Sequence, residues 1–80
     1  MTREEIEPIS KVVIYDNEKH EIIFKDGNSV FGFFNGGRHE SLKEQNKWSF
    51  VVTPQPNGEK KQTIFNGDDF KSIVFHINQP

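Results

Sequence analysis

Glu21-Ile22-Ile23-Phe24-Lys25-Asp26-Gly27-Asn28-Ser29-Val30-Phe31-Gly32-Phe33-Phe34-Asn35 holds four of the chain's eight Phe and reads as strand, tight turn, strand. Asp26-Gly27 lies between two apolar runs. Glycine enters φ > 0 at no steric cost, so this pair is a strong hairpin signal. Two registers fit. A two-residue turn at Asp26-Gly27 pairs Phe24 with Ser29; a three-residue loop over 26–28 pairs Lys25 with Ser29 and Phe24 with Val30. The second separates charge better and is preferred. It places Ile22, Phe24, Val30, Gly32 and Phe34 on one face, and Glu21, Lys25, Ile23, Phe31 and Phe33 on the other. A slip of one residue would exchange the two faces. Gly32 removes a side chain in mid-strand, as a strongly bent strand requires.

Eighty residues make one domain, 1–80, with a thin core. There is no Cys, hence no disulfide and no thiolate metal site, which fits a cytoplasmic protein. No apolar run approaches the roughly 20 residues of a membrane span, and the N-terminus lacks a signal pattern. No membrane association is expected. The formal charge of −2 argues against indiscriminate binding to duplex DNA. Abundant Phe and the absence of Ala favour strand over helix.

Residues 1–8 read as an N-terminal extension. Thr2-Arg3-Glu4-Glu5 fits a capping box, but Pro8 limits a helix there to about one turn, and a frayed polar segment is the expectation. Ile9–Tyr15, rich in β-branched residues, is predicted as a first strand, and 16–19 as a polar turn. His20–Lys25 and Ser29–Asn35 form the hairpin. Residues 36–47 make a long polar loop, with room for a helical turn around Leu42; loops of this length are disproportionately functional. Trp48–Thr53 is the next strand, 54–58 a connector, Lys61–Asn66 a strand, Asn66–Asp69 a turn or single 3₁₀ turn, and Phe70–Ile77 the last strand. Five to six short strands with regular turn signals predict an all-β fold: a small, highly bent antiparallel barrel, with room for one short N-terminal helical turn as the alternative to a frayed end.

Ile22-x-Phe24-Lys25-Asp26-Gly27-x-x-Val30-x-Gly32-x-Phe34 resembles the first motif of the Sm and Sm-like proteins, within the wider group of SH3-like barrels. Phe65-Asn66-Gly67-Asp68-Asp69-Phe70-Lys71-Ser72-Ile73 resembles their second motif. The two cover about a quarter of the chain. The resemblance implies an Sm-like or SH3-like barrel, rings built by pairing the edges of the last two strands, and single-stranded RNA bound in the lumen. That family binds RNA through an Asp, an aromatic or His and an Asn after the second barrel strand, plus an Arg in the second motif. Here Arg38 stands at the place of the Asp, Leu42 at that of the Asn, and Asn66 at that of the Arg. Gly67 and Asp68 carry over directly; Asn46 takes the Asn role only if the loop carries an insertion. The strand expected at Ile9–Tyr15 lies where the family has a helix.

His20, His39 and His76 are dispersed, without metal-site spacing. Gly36-Gly37-Arg38-His39 offers backbone N–H groups and a guanidinium for an anion, or is simply a solvated loop. Asp68-Asp69 holds a cation or shapes the turn, the turn being the better reading. Nothing pairs a nucleophile with a base, so no enzyme and no cofactor are expected.

Ile23, Phe31 and Phe33 are the remaining question. Either the N-terminal strand or the long loop covers them, or they form an apolar patch for a protein partner. A third use is base stacking on Phe31, Phe33 or Trp48, with Arg38, Lys43, Lys47, Lys60 and Lys61 on phosphates. The leading expectation is a non-enzymatic interaction module with an unidentified protein partner. The alternatives are an Sm-like ring that binds single-stranded RNA, with homo-oligomers joined through edge strands, and a purely structural accessory protein. Candidate binding residues are Phe31, Phe33, Arg38, His39, Asn46, Trp48, Asn66, Gly67 and Asp68.

Overall fold

The hairpin loop decides the register of the sheet. In the computed structural model, which describes residues 1–15, 18–35, 40–53 and 61–77, β1 (Glu18–Phe24) and β2 (Ser29–Phe34) pair antiparallel with Ile22 opposite Val30 and Ile23 opposite Ser29. The loop has three residues, as preferred, but they are Lys25, Asp26 and Gly27. The Phe24 N–H donates to Asn28 O (2.8 Å) and the Gly27 N–H to Phe24 O (3.0 Å). Gly27 takes φ +94°, the left-handed position this loop type needs, and Asp26 Oδ1 accepts the Asn28 N–H at 2.9 Å. Both expected registers are thereby corrected. The offset from the preferred one is two residues, an even number, so the faces come out as expected.

α1 (Arg3–Ser10) replaces the frayed N-terminus. Its capping box is complete: Thr2 Oγ1 accepts the Glu5 N–H (3.3 Å) and the Thr2 N–H donates to Glu5 Oε1 (2.8 Å). That bond to the Thr2 backbone holds the Glu5 carboxyl below its usual range. The helix runs through Pro8, which supplies no N–H for the Glu4 carbonyl, because Ile6 is fully buried and docks the helix on the core. The predicted strand at Ile9–Tyr15 does not form. Both sides of β1 are already taken, by β2 and by β5 (Phe70–Ile77), so a hairpin strand preceding β1 has no edge to join. Val12, Val13 and Tyr15 are exposed instead.

The helical turn around Leu42 is α2 (Glu40–Glu44). It is followed by β3 (Lys47–Val52) and β4 (Lys61–Asn66), and a 3₁₀ turn at Gly67–Asp69 leads into β5. The sheet is fully antiparallel, in the order β4-β3-β2-β1-β5. The small all-β fold is thus present, with five strands among the described residues, the lower of the expected numbers. β4 and β5 occupy opposite edges, yet only the 3₁₀ turn joins them. A flat five-stranded sheet would hold its outer strands about 19 Å apart, and four residue steps span about 13 Å. The sheet must therefore curl. It stops short of the expected closed barrel: among the described residues β4 and β5 do not pair. Gly32 permits the bend, since a Cβ there would overlap the Val51 carbonyl oxygen and crowd Phe50.

The concave face carries the core: Ile6, Ile22, Phe34, Trp48, Phe50 and Phe70, with Phe24, Val30, Val52, Phe65 and Ile73 packed on it. Aromatic rings run through it edge to face, Phe34 on Phe50 at 5.1 Å and Phe24 on Phe70 at 5.6 Å between centroids. Each such pair adds roughly 0.5–1.5 kcal/mol beyond its burial.

Candidate functional site

Asn46, Trp48, Asn66, Gly67 and Asp68 meet where the start of β3 faces the 3₁₀ turn. Asn46 ends α2 in the left-handed region, φ +57°, which Asn tolerates better than most residues. Its Nδ2 donates to Met1 O (2.9 Å) and to Asp68 Oδ1 (3.1 Å). Its Oδ1 accepts the indole N–H of Trp48 (2.9 Å), and its backbone carbonyl accepts the Gly67 N–H (2.7 Å). Asn66 Oδ1 accepts the Asp68 N–H at 3.1 Å and caps the turn. The Met1 α-ammonium donates to the carbonyls of Gly67 and Phe70, at 3.0 and 2.9 Å. A Cβ on Gly67 would collide with Asn46 Oδ1 and with Ile6 Cδ1.

Both side-chain N–H groups of Asn46 and its oxygen have partners within the chain. The cluster is therefore a clasp joining the N-terminus, α2, β3 and the turn. Its exposed members are Asn66 and Asp68, with exposed Asp69 beside them, and the two carboxylates leave this surface ill-suited to phosphate. Arg38 and His39 lie outside the described residues, as does Lys60.

A second set of residues gathers on the outer face. Glu21 has Phe31 as its cross-strand partner on β2 and Val74 on β5. Phe31 is 41% exposed and Val74 38%. Glu21 Oε1 lies 2.9 Å from His76 Nε2, and the His76 ring tilts against Phe31 with centroids 5.6 Å apart. Ile23 and Phe33, on the same face, are half-buried. Of the three outward residues the sequence singles out, Phe31 is the one largely exposed. Beyond this patch, the edge strands expose Ile64 on β4 and Phe75 and Ile77 on β5.

His20 was grouped in sequence only with the dispersed histidines. The structure buries it, 2% exposed, with Nδ1 lacking any hydrogen-bond partner. Its ring sits between Phe34 (5.6 Å) and Phe75 (5.5 Å), and burial pushes its pKa below the ordinary histidine value.

Among the described residues no three His, Asp or Glu side chains gather as a metal site. An open pocket among Phe24, Lys25, Asp26 and Asp69 holds two carboxylates and a lysine. Nor is any helix among the described residues long and apolar enough to cross a membrane.

Sequence reading overlooked Glu21, Val74 and His76 as members of one patch. Alternation in the last strand does place Val74 and His76 on a common face. The missing information is the β1–β5 register, which sets Val74 beside Glu21 across a separation that no local pattern encodes. The chain matches no known protein-family model and no curated protein.

Proposed function

We propose that this chain is a non-enzymatic β-sheet interaction module, cytoplasmic in location, that binds a protein partner through the outer face of β2, β1 and β5. The observation that carries this reading is the pair Phe31 and Val74, exposed on either side of Glu21. Two apolar side chains beside a fixed carboxylate–imidazole contact combine a hydrophobic driving area with polar groups that set orientation, as interfaces do. The test compares capture of partners by wild type, Phe31→Ser and Val74→Ser, with circular dichroism and urea midpoints in parallel. Loss of capture with intact folding is the expected result. Variants that simply unfold would return both residues to the core and end this reading.

A second reading, an Sm-like ring that binds single-stranded RNA, draws support from one observation. A five-stranded antiparallel sheet in the order β4-β3-β2-β1-β5 follows an N-terminal helix and leaves β4 and β5 as edges, and unpaired edges favour assembly. Against it stands Asn46, whose polar atoms are taken. Light scattering on a sizing column separates the two readings: a hexamer or heptamer with salt-dependent binding of oligo(U) or oligo(A) favours the ring, and a monomer excludes it.

A further inference from the structure

The β1–β5 ladder carries a histidine on each face. His76 points outward to Glu21. His20 points inward, with Gly32 opposite it on β2 and Phe75 opposite it on β5. On that inner face β2 presents Val30, Gly32 and Phe34, β5 presents Ile73, Phe75 and Ile77, and the β3 rings behind Phe34 are Phe50 and Trp48. None of these ionises. On β1 itself Glu18 shares the face, but its carboxylate makes no ion pair with His20 and its Oε2 accepts the Tyr15 N–H at 3.2 Å. Lys19, Glu21 and His76 belong to the opposite face. A neutral imidazole fits this apolar slot. An imidazolium would be a buried charge with no counter-ion and an N–H with no acceptor, which is strongly unfavourable.

The wall of the slot most easily moved is Phe75. It is 44% exposed and lies on an edge strand held, among the described residues, only by β1. Past it, Lys19 opposite His76 and Glu18 opposite Ile77 complete the ladder.

We propose that His20 is an acid-sensitive latch on the β1–β5 seam: its protonation drives the imidazole from between Phe34 and Phe75 and releases the Phe75–Ile77 end of β5, uncovering the aromatic inner face. The sign follows from linkage. In the closed seam proton binding is disfavoured by burial; in the open one the imidazole is solvated, with a pKa of about 6.5. The open form binds more protons. Closure is therefore at full strength above about pH 6.5, and the opening constant rises by up to about tenfold per unit as pH falls below that value, until the closed-state pKa is reached.

The experiment is amide hydrogen exchange by NMR on the full chain at pH 7.5, 6.5 and 5.5, with rates corrected for the intrinsic pH dependence of exchange. The expected result is a drop in protection at 75–77 and 18–20 of about five- to tenfold per unit below pH 6.5. Amides of β3 keep their protection, and the pH response is absent in His20→Phe and retained in His76→Gln. Equal loss in β3 and β5 would mean that His20 merely lowers global stability, and would overturn the latch. So would constant protection, or a response that disappears in His76→Gln. Should His20→Phe fail to fold, the imidazole Cε1–H titration of His20 in wild type decides. A midpoint that coincides with opening of 75–77 supports the latch, and protonation without opening refutes it.

Discussion

Asn46 and Asp68, on loops that follow different strand pairs, are joined by a 3.1 Å hydrogen bond from Nδ2 to Oδ1. The bond belongs to a set through which one asparagine side chain also holds Met1 O and the Trp48 indole. These residues look like a binding constellation in sequence and act as a clasp in the fold.

Asn46→Ala should destabilise the domain by about 2–3 kcal/mol in urea denaturation. It leaves the Trp48 N–H, in a side chain that is nearly buried, without its acceptor, and it forces a Cβ residue other than Asn into φ > 0. Asn46→Gly removes the same hydrogen bonds but relieves the backbone, and should cost about 1 kcal/mol less. Equal midpoints for wild type and both variants would show that the clasp contributes nothing.

Gly32 and Gly27 should respond very differently to alanine. At Gly32 a Cβ meets the Val51 carbonyl, a backbone atom that cannot step aside without breaking the β2–β3 ladder. At Gly27 the space is open and only the left-handed φ opposes the change. Gly27→Ala should cost about 1–2 kcal/mol. Gly32→Ala should cost well over 3 kcal/mol, enough in a domain this small to leave little folded protein by circular dichroism.

Position on the sheet should decide the cost of losing a phenylalanine. Phe50→Ala removes a fully buried ring and should cost about 3–5 kcal/mol. Phe31→Ala, on the outer face, should cost about 1 kcal/mol or less by the same denaturation assay. A Phe31 cost comparable to that of Phe50 would contradict the proposed contact surface.

Thr2→Ala tests whether α1 is held by its cap as well as by its docked side chain. Loss of the Thr2 side-chain oxygen should cost about 1 kcal/mol. Ile6→Ala should cost about 2–5 kcal/mol, because Ile6 is the anchor on the core. If Thr2→Ala were the more damaging, the helix would depend on its cap more than on its packing.

Much of the sheet was legible because its signals are local. Lys61–Asn66, the 3₁₀ turn and Phe70–Ile77 are delimited by the local turn signal Asn66-Gly67-Asp68-Asp69, and they fold where expected. The faces of the hairpin were legible even though its register was not, since parity survives an even shift. Gly27 takes the left-handed place in the loop, as its lack of a Cβ leads one to expect, and only the ladder beyond the turn selects which three residues form the loop. The N-terminal helix was hidden by two local signals, Pro8 and the β-branched run after it. Both were overruled by burial of Ile6 and by the lack of an edge for a further strand. The clasp and the Glu21 patch were illegible for a different reason. Each joins residues that only strand pairing brings together: β3 with β4 sets the turn after β4 beside the start of β3, and β5 with β1 sets Val74 beside Glu21.

That last pairing also sets the order of assembly. β1 and β2 meet across a three-residue loop, whereas the β1–β5 ladder must bring position 18 to position 77. Loop-closure entropy for this seam exceeds that of the hairpin by roughly 1.5 kcal/mol or more. The hairpin can therefore nucleate early, with β3 and β4 adding to one side, while the other side of β1 waits for the distant strand. A fold so dependent on non-local contacts should form in milliseconds or slower, not microseconds. Until β5 arrives, β1 is itself an open edge, so the unfinished sheet is the species most exposed to pairing with the wrong strand.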